Sequence, residues 1–251
     1  MFWLAVWQVA SLLVGQELLV PAPSMVLATL GGLLGTASFW QVTGWSLLRV
    51  LAGFVAGVAV GCGAAVLTVR SRVADALLSP LLRVVRAAPV ASFVILALVW
   101  IPTGRLPAFI SFLMVVPVVW DNMTHGIAGQ DRNLLEMASV FRFGRWQTFR
   151  RVRLPLLLPF FAAACTTGMG LAWKSGVAAE VISRPELSIG GELQDAKVYL
   201  ETPEVFAWTI TVVALSMLLE AGLRWGAAQL TRRLSGGPVD GGGEGASDAG
   251  A

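Results

Sequence analysis

Charged residues are scarce in this sequence: they make up 13% of its 251 residues, whereas apolar residues make up 56%. Ordinary globular proteins carry roughly 25% charged residues, so this composition excludes a typical water-soluble domain. The chain has one histidine, His125, and two cysteines, Cys62 and Cys165, both inside apolar runs. These side chains are too few for a metal site, a disulfide framework or a His-based catalytic pair. The net charge of +3 is too small to indicate nucleic-acid binding.

Long apolar runs predict a polytopic membrane protein, because about 20 apolar residues cross a hydrocarbon core of roughly 30 Å. Five runs predict membrane-spanning helices: Ser46–Val69, Val84–Ile101, Leu106–Thr124, Leu156–Val177 and Val205–Leu223. A sixth run, Phe2–Val20, is interrupted by polar residues. We expect Met25–Trp40, rich in glycine and alanine, to lie on the outer surface as a helix, with a further span as the alternative. The predicted fold class is all-α, with about six transmembrane helices.

The basic residues predict the orientation of the chain. Most of the 18 Lys and Arg residues lie in three regions, 70–86, 132–153 and 224–233. The order of the predicted spans places these three regions on the same side of the membrane. Cytoplasmic loops carry such an excess of positive charge, so with six spans both termini are predicted to be cytoplasmic. Residues 1–233 would form the transmembrane domain. Residues 234–251 are mostly Gly, Ala and acidic, a composition that predicts a disordered cytoplasmic tail.

Three glycines recur on one face of the second predicted span. Gly53, Gly57 and Gly61 are four residues apart, and small residues at this spacing let helix backbones approach closely in a membrane. Two interpretations remain open from the sequence. The glycines either pack against another helix of the same subunit or form a contact between subunits.

A basic segment between two apolar runs has the spacing of amphipathic helices. In residues 131–155, apolar residues recur every three or four positions opposite a row of arginines, which predicts helix. Asp131 or Asn133 can cap the first helix, Gly144 permits a break, and Pro155 leads into the next span. The segment therefore predicts a cytoplasmic helix-turn-helix. An interfacial helix bound to anionic lipid is the alternative.

This segment resembles the EAA loop of bacterial ABC importer permeases, the element that contacts the ATPase. Glu136, Ala138, Leu154 and Pro155 fall in register with the family pattern, whereas Met137 and Arg142 depart from it. The resemblance implies that the loop couples the chain to the ATPase. The coupling residues it implies are Glu136, Met137, Ala138, Phe141, Arg142, Gly144, Leu154 and Pro155.

Other stretches are similar to the nitrate/taurine/sulfonate branch of these permeases: Leu19–Ser24, Ser46–Gly53, Arg86–Pro89 and Ala172–Glu180. The resemblance implies a permease subunit of an ATP-driven importer that forms the solute path as a homodimer in the bacterial inner membrane. It implies cytoplasmic ATPase subunits and an extracytoplasmic solute-binding protein as partners. The outer loop Ser183–Thr202 would face that binding protein or form an outer gate. The main alternative is a self-sufficient secondary transporter, for which the sequence lacks an evident inverted repeat.

The stretch Gly168–Ser175 comes close to a phosphate-binding loop, but Trp173 replaces the second glycine, and its side chain would block the close approach of a phosphate. We therefore expect no bound cofactor and ATP use by a partner subunit. Charged residues and prolines within spans mark Pro89, Lys174 and Glu180 as candidates for the translocation path or gate. For Lys174, near the predicted outer boundary, an extended side chain reaching the interface is the alternative.

Overall fold

The computed structural model describes residues 2–130 and 143–234, and within these ranges all regular structure is helical. The predicted all-α fold is confirmed. The described helices are α1 (Phe2–Val14), α2 (Pro23–Leu34), α3 (Ala37–Arg70), α4 (Arg72–Ala87), α5 (Val90–Ala97), α6 (Leu106–Ala128), α7 (Arg145–Thr148), α8 (Leu154–Ser183), α9 (Ile189–Val198) and α10 (Thr202–Leu234), with a π-helical turn at Phe149–Arg153 between α7 and α8.

Four described helices are long and apolar enough to cross a membrane: α3, α6, α8 together with the turn before it, and α10. They contain four of the five predicted spans. The bent pair α4 and α5 makes a fifth crossing if it is counted as one broken span. The chain is therefore a multi-pass membrane protein. Of the predicted tail, only Leu234 lies within the described residues.

The predicted span Val84–Ile101 is wrong as a continuous helix. It is broken between Ala87 and Val90, and the two helices meet at an angle of 103°. Pro89 has no N–H to continue the helix, and its ring disfavours helical geometry at the residue before it. Ala88 accordingly has an extended backbone, with φ −79° and ψ 144°.

Near the N-terminus the helices are shorter than the apolar runs that contain them. α1 has 13 residues, a length of about 20 Å, which is less than the hydrocarbon thickness. It ends before Gly15, which has a positive φ of 61°. α2 has 12 residues, and Trp40 belongs to α3 rather than to the predicted surface helix. The length of α2 agrees with a helix that does not span.

Helices α3, α6 and α8 form the packed centre of the molecule. Gly53, in the middle of α3, lies beside the start of α6, and the two helices run parallel, whereas α8 runs antiparallel to both. A Cβ atom on Gly57 would lie 2.7 Å from the Cβ of Val115, and one on Gly61 would lie 2.8 Å from that of Val119. The glycine face therefore packs inside the subunit, which resolves the alternatives left open by the sequence.

Polar side chains join the long helices at several depths. The indole of Trp120 donates to the Thr68 hydroxyl at 3.0 Å, which ties α6 to α3. Ser111 donates to the carbonyl oxygen of Ala172 at 3.0 Å, which ties α6 to α8. Trp173 is fully buried and donates to the carbonyl oxygen of Val212 at 2.9 Å, which ties α8 to α10. Trp173 belongs to the stretch Gly168–Ser175, which comes close to a phosphate-binding loop in sequence. This stretch lies inside the continuous helix α8.

Candidate functional site

The described part of the basic segment leads directly into α8. Helix α7 begins after Gly144, whose backbone N–H donates to the side-chain oxygen of Gln147 at 3.3 Å. This contact satisfies a backbone donor at the start of the helix, as a capping box does. Leu154 and Pro155 form the first turn of α8, which continues from the π-helical turn through a hydrogen bond from the N–H of Leu154 to the carbonyl oxygen of Phe149. Glu136, Met137, Ala138, Phe141 and Arg142 lie outside the described residues.

Two aromatic side chains stand out on this segment. Trp146 and Phe149 stack with ring centroids 6.0 Å apart, and the Trp146 side chain is 71% exposed. Arg150, Arg151 and Arg153 follow on exposed positions of the π-helical turn. The segment thus exposes an aromatic pair beside a row of arginines, a combination that suits contact with a protein partner.

The outward side of α8 differs from the other exposed helix faces. Ala163, Thr167, Lys174 and Ala178 are exposed along one side of α8, whereas the exposed side chains of α10 include Val213, Met217 and Leu218. Lipid-facing surfaces are apolar and bulky, and exposed small and polar residues at membrane depth indicate contact with water or protein. This side of α8, which we call the polar face, is defined by these four residues.

A cavity of about 380 Å³ lies at the polar face between α8 and α10. It is lined by Thr166, Thr167, Gly170, Leu171, Lys174 and Glu220. Glu220 pairs with Arg224 one turn further along α10, at 3.7 Å. Lys174 forms no ion pair with any residue in the described ranges. Within the described ranges, the cavity therefore holds one cation without an ion-pair partner and one carboxylate that has one.

Glu180 lies in a buried polar cluster near the C-terminal end of α8. Its side chain has no exposed surface. One carboxylate oxygen, Oε2, accepts from the Ser46 hydroxyl at 2.8 Å and from the backbone N–H of Gly190 at 3.2 Å. The hydroxyl oxygen of Ser46 in turn accepts from the N–H of Ile189 at 3.0 Å. Helices α3 and α8 thus hold the first backbone donors of α9.

Arg49 completes this cluster from one turn further along α3. Its Nη1 lies 3.6 Å from Oε1 of Glu180, which has no hydrogen-bond donor among the described residues. The same guanidinium donates to the carbonyl oxygens of Leu187 at 2.9 Å and Glu186 at 2.7 Å. One cation therefore neutralises the buried carboxylate and holds the connection between α8 and α9.

Sequence reasoning singled out Glu180 but missed Ser46 and Arg49. Lys174 lies on the same helix but is six residues away and points in a different direction. Arg49 was the better partner, because it is a basic residue inside a predicted span and a buried charge needs a counter-charge. A comparison of the oppositely charged residues of different spans would have made Arg49 a candidate partner for Glu180.

The surface of the loop Ser183–Thr202 is partly apolar. Val198, Tyr199 and Leu200 are exposed at the end of α9, and Leu200 has a positive φ of 61°. Burial raises the pKa of Glu192, and the nearby Asp195 carboxylate raises it further. This surface combines apolar and acidic groups.

Pro89 lies at the corner between α4 and α5, away from the buried cluster. The corner is attached to α6 by Arg86, whose Nη1 lies 2.8 Å from Oδ2 of Asp121. Asp121, Arg83 and His125 also line a cavity of about 290 Å³ between α4 and α6. The structure therefore does not bring Pro89, Lys174 and Glu180 together in one pocket.

These features define a class: an all-helical, multi-pass membrane protein with a basic aromatic segment at one end of its central helix and a polar face along it. A family model described as "Binding-protein-dependent transport system inner membrane component" matches residues 53–236. The chain belongs to this family.

Curated relatives agree with the family assignment. An ABC transporter permease protein of Brucella melitensis is 30% identical over 192 residues, which cover 74% of this chain and 76% of the relative. The taurine transport system permease of Escherichia coli is 27% identical over 236 residues, covering 91% and 84%. The bicarbonate transport system permease of Synechococcus elongatus is 27% identical over 190 residues, covering 74% and 67%.

The chain is accordingly a permease subunit of an ABC importer, and its resemblance to the nitrate/taurine/sulfonate branch is confirmed. The relatives are transport permeases rather than enzymes. Membership of the family implies ATPase and solute-binding proteins as partners in general terms. It argues against the alternative interpretation as a self-sufficient secondary transporter.

Proposed function

We propose that two copies of this chain form the translocation path of an ATP-driven importer and couple it to cytoplasmic ATPase subunits through the loop at about 131–155. The observation that carries this proposal is the course of α8. One helix joins the basic segment at its start to the buried cluster at its end and carries the polar face between them. The polar face would contact the second copy of the chain and line the solute path.

The coupling loop would contact the ATPase through Glu136, Met137, Ala138, Phe141 and Arg142. Their roles rest on the family pattern alone. For the described part, the exposed pair Trp146 and Phe149 supports a protein contact, and Gly144 supports the predicted break because α7 begins directly after it. Leu154 and Pro155 would transmit movement of the loop to α8. ATP would be bound and hydrolysed by the partner subunit.

Lys174 would line the path and attract an anionic solute. Its charge has no partner among the described residues, and it faces the cavity beside the polar face. Two relatives are named for taurine and bicarbonate, both of which carry an anionic group. Glu180 would act at the outer gate through the position of α9 rather than as a path-lining group, because its side chain is buried. Pro89 would contribute by fixing the corner beside the path.

The chain would lie in the bacterial inner membrane with both termini in the cytoplasm. Basic residues support this orientation, since Arg70 at the end of α3 and Arg224 near the end of α10 lie on the same side as the basic segment at the start of α8. The outer loop that contains α9 would then face the solute-binding protein.

The test is purification of the tagged chain from its native membranes in mild detergent, with identification of the proteins that accompany it. We expect an ATPase at equal stoichiometry and two copies of the chain in each complex. Replacement of Glu136 by Lys should release the ATPase without affecting membrane insertion. A chain that purifies alone under several mild conditions and still transports solute in liposomes would contradict the proposal.

A further inference from the structure

The start of α9 contacts one buried carboxylate, that of Glu180. The N–H groups of Ile189 and Gly190, at the start of α9, point at Ser46 and at Glu180. A helix N-terminus favours a negative charge, and here that charge is supplied from a different helix. Gly190 has no Cβ, and any Cβ there would overlap the Glu180 side chain. The start of α9 is therefore packed directly on the carboxylate.

The connection between α8 and α9 contains two residues other than glycine in a left-handed backbone conformation. Arg184 and Leu187 both have a positive φ of 47°, a conformation that costs free energy for residues other than glycine. Arg49 donates to the carbonyl oxygens of Glu186 and Leu187 and so stabilises this conformation from outside. The second tie, an ion pair between Arg184 and Asp195, is half exposed and contributes little.

We infer that Glu180, together with Ser46 and Arg49, is a positioning residue that makes α9 move as one body with the outer ends of α3 and α8 during transport. The inference rests on the proposed function, because it assigns to this cluster the transfer of α8 movement to the outer loop. Glu180 does not contact the solute. Its loss should disconnect the outer loop from the cycle while ATP hydrolysis continues.

The experiment compares ATP hydrolysis and solute uptake in the same liposomes, with the complete complex and its solute-binding protein. Glu180→Gln keeps the size of the side chain but removes its charge and one of its two acceptor oxygens. We expect the number of ATP molecules hydrolysed per solute transported to rise about tenfold, within the usual range of coupling between sites. Ser46→Ala should raise it in the same direction by a smaller factor. Glu17→Gln, which neutralises an exposed carboxylate outside the cluster, should leave it unchanged.

A second measurement locates the effect. Hydrogen exchange of the complex should become faster at the first amides of α9 in Glu180→Gln and remain unchanged in α6. If Glu180→Gln does not assemble, Ser46→Ala carries both measurements. An unchanged ratio, including one in which hydrolysis and uptake fall together, would overturn the inference. A wild-type complex that shows no ATP-driven uptake would instead overturn the proposed function and this inference with it.

Discussion

At the scale of single residues, glycines and charges carry most of the specific information in this chain. The glycines of α3 allow α6 to approach its backbone, and the buried carboxylate of Glu180 draws three helices together. Each acts through a close contact, so each can be tested by one substitution.

Gly57→Ala should destabilise the protein by about 1–3 kcal/mol, because its methyl group would press on Val115 and a packed interior yields little. Thermal unfolding of the purified protein in detergent measures the effect. Gly63→Ala is the matched control, since Gly63 lies on the same helix with no atom within 4 Å of the added Cβ. Equal transition temperatures for the two variants would contradict the tight packing of α3 on α6.

Lys174→Gln should reduce uptake of an anionic solute about tenfold, the factor that corresponds to roughly 1.4 kcal/mol of lost attraction. Uptake at several solute concentrations in liposomes measures it, and Lys174→Arg should retain most of the activity. Arg105→Gln serves as the control, because Arg105 is an exposed cation just before α6, outside the polar face and the loop that contains α9. If Lys174→Gln behaves as the wild type does, Lys174 reaches the interface and does not line the path.

At the scale of elements, apolar length predicted α3, α6, α8 and α10 well, because a run of about 20 apolar residues has few other stable conformations in a membrane. It failed at Val84–Ile101, where Pro89 interrupts the helix without lowering the average hydropathy. The glycine spacing identified the packing face of α3 but not its partner, since the spacing holds no information on which helix approaches. The pairing of Arg49 with Glu180 depends on the tertiary arrangement of α3 and α8, which a single sequence does not display.

Trp146→Ala should weaken association with the ATPase about tenfold or more, since exposed aromatic anchors commonly contribute 2 kcal/mol or more to an interface. Co-purification at increasing salt measures this loss while membrane insertion stays normal. Trp100→Ala is the control, because Trp100 is equally exposed but lies between α5 and α6, away from the coupling loop. Equal retention of the ATPase by both variants would remove Trp146 from the contact.

At the scale of the whole molecule, the orientation of the chain in the membrane decides which of these sites faces the cytoplasm and which faces the outside. A variant that lacks Cys62 and Cys165 allows a single introduced cysteine to be labelled selectively in intact cells. Tyr199→Cys should react with a membrane-impermeant maleimide from outside, whereas Trp146→Cys should react only after the membrane is opened. The reverse pattern would place the outer loop in the cytoplasm and contradict the predicted positive-inside orientation.

The 30 residues of α8 form a stiff rod of about 45 Å, and a rod transmits force in both directions. Binding free energies coupled through it are reciprocal. A nanobody or small molecule that immobilises the outer loop should therefore change the nucleotide affinity of the distant ATPases by the same factor by which nucleotide changes its own binding. In the proposed orientation, the helix would make the extracytoplasmic surface a place from which the partner ATPase can be inhibited without any compound entering the cell.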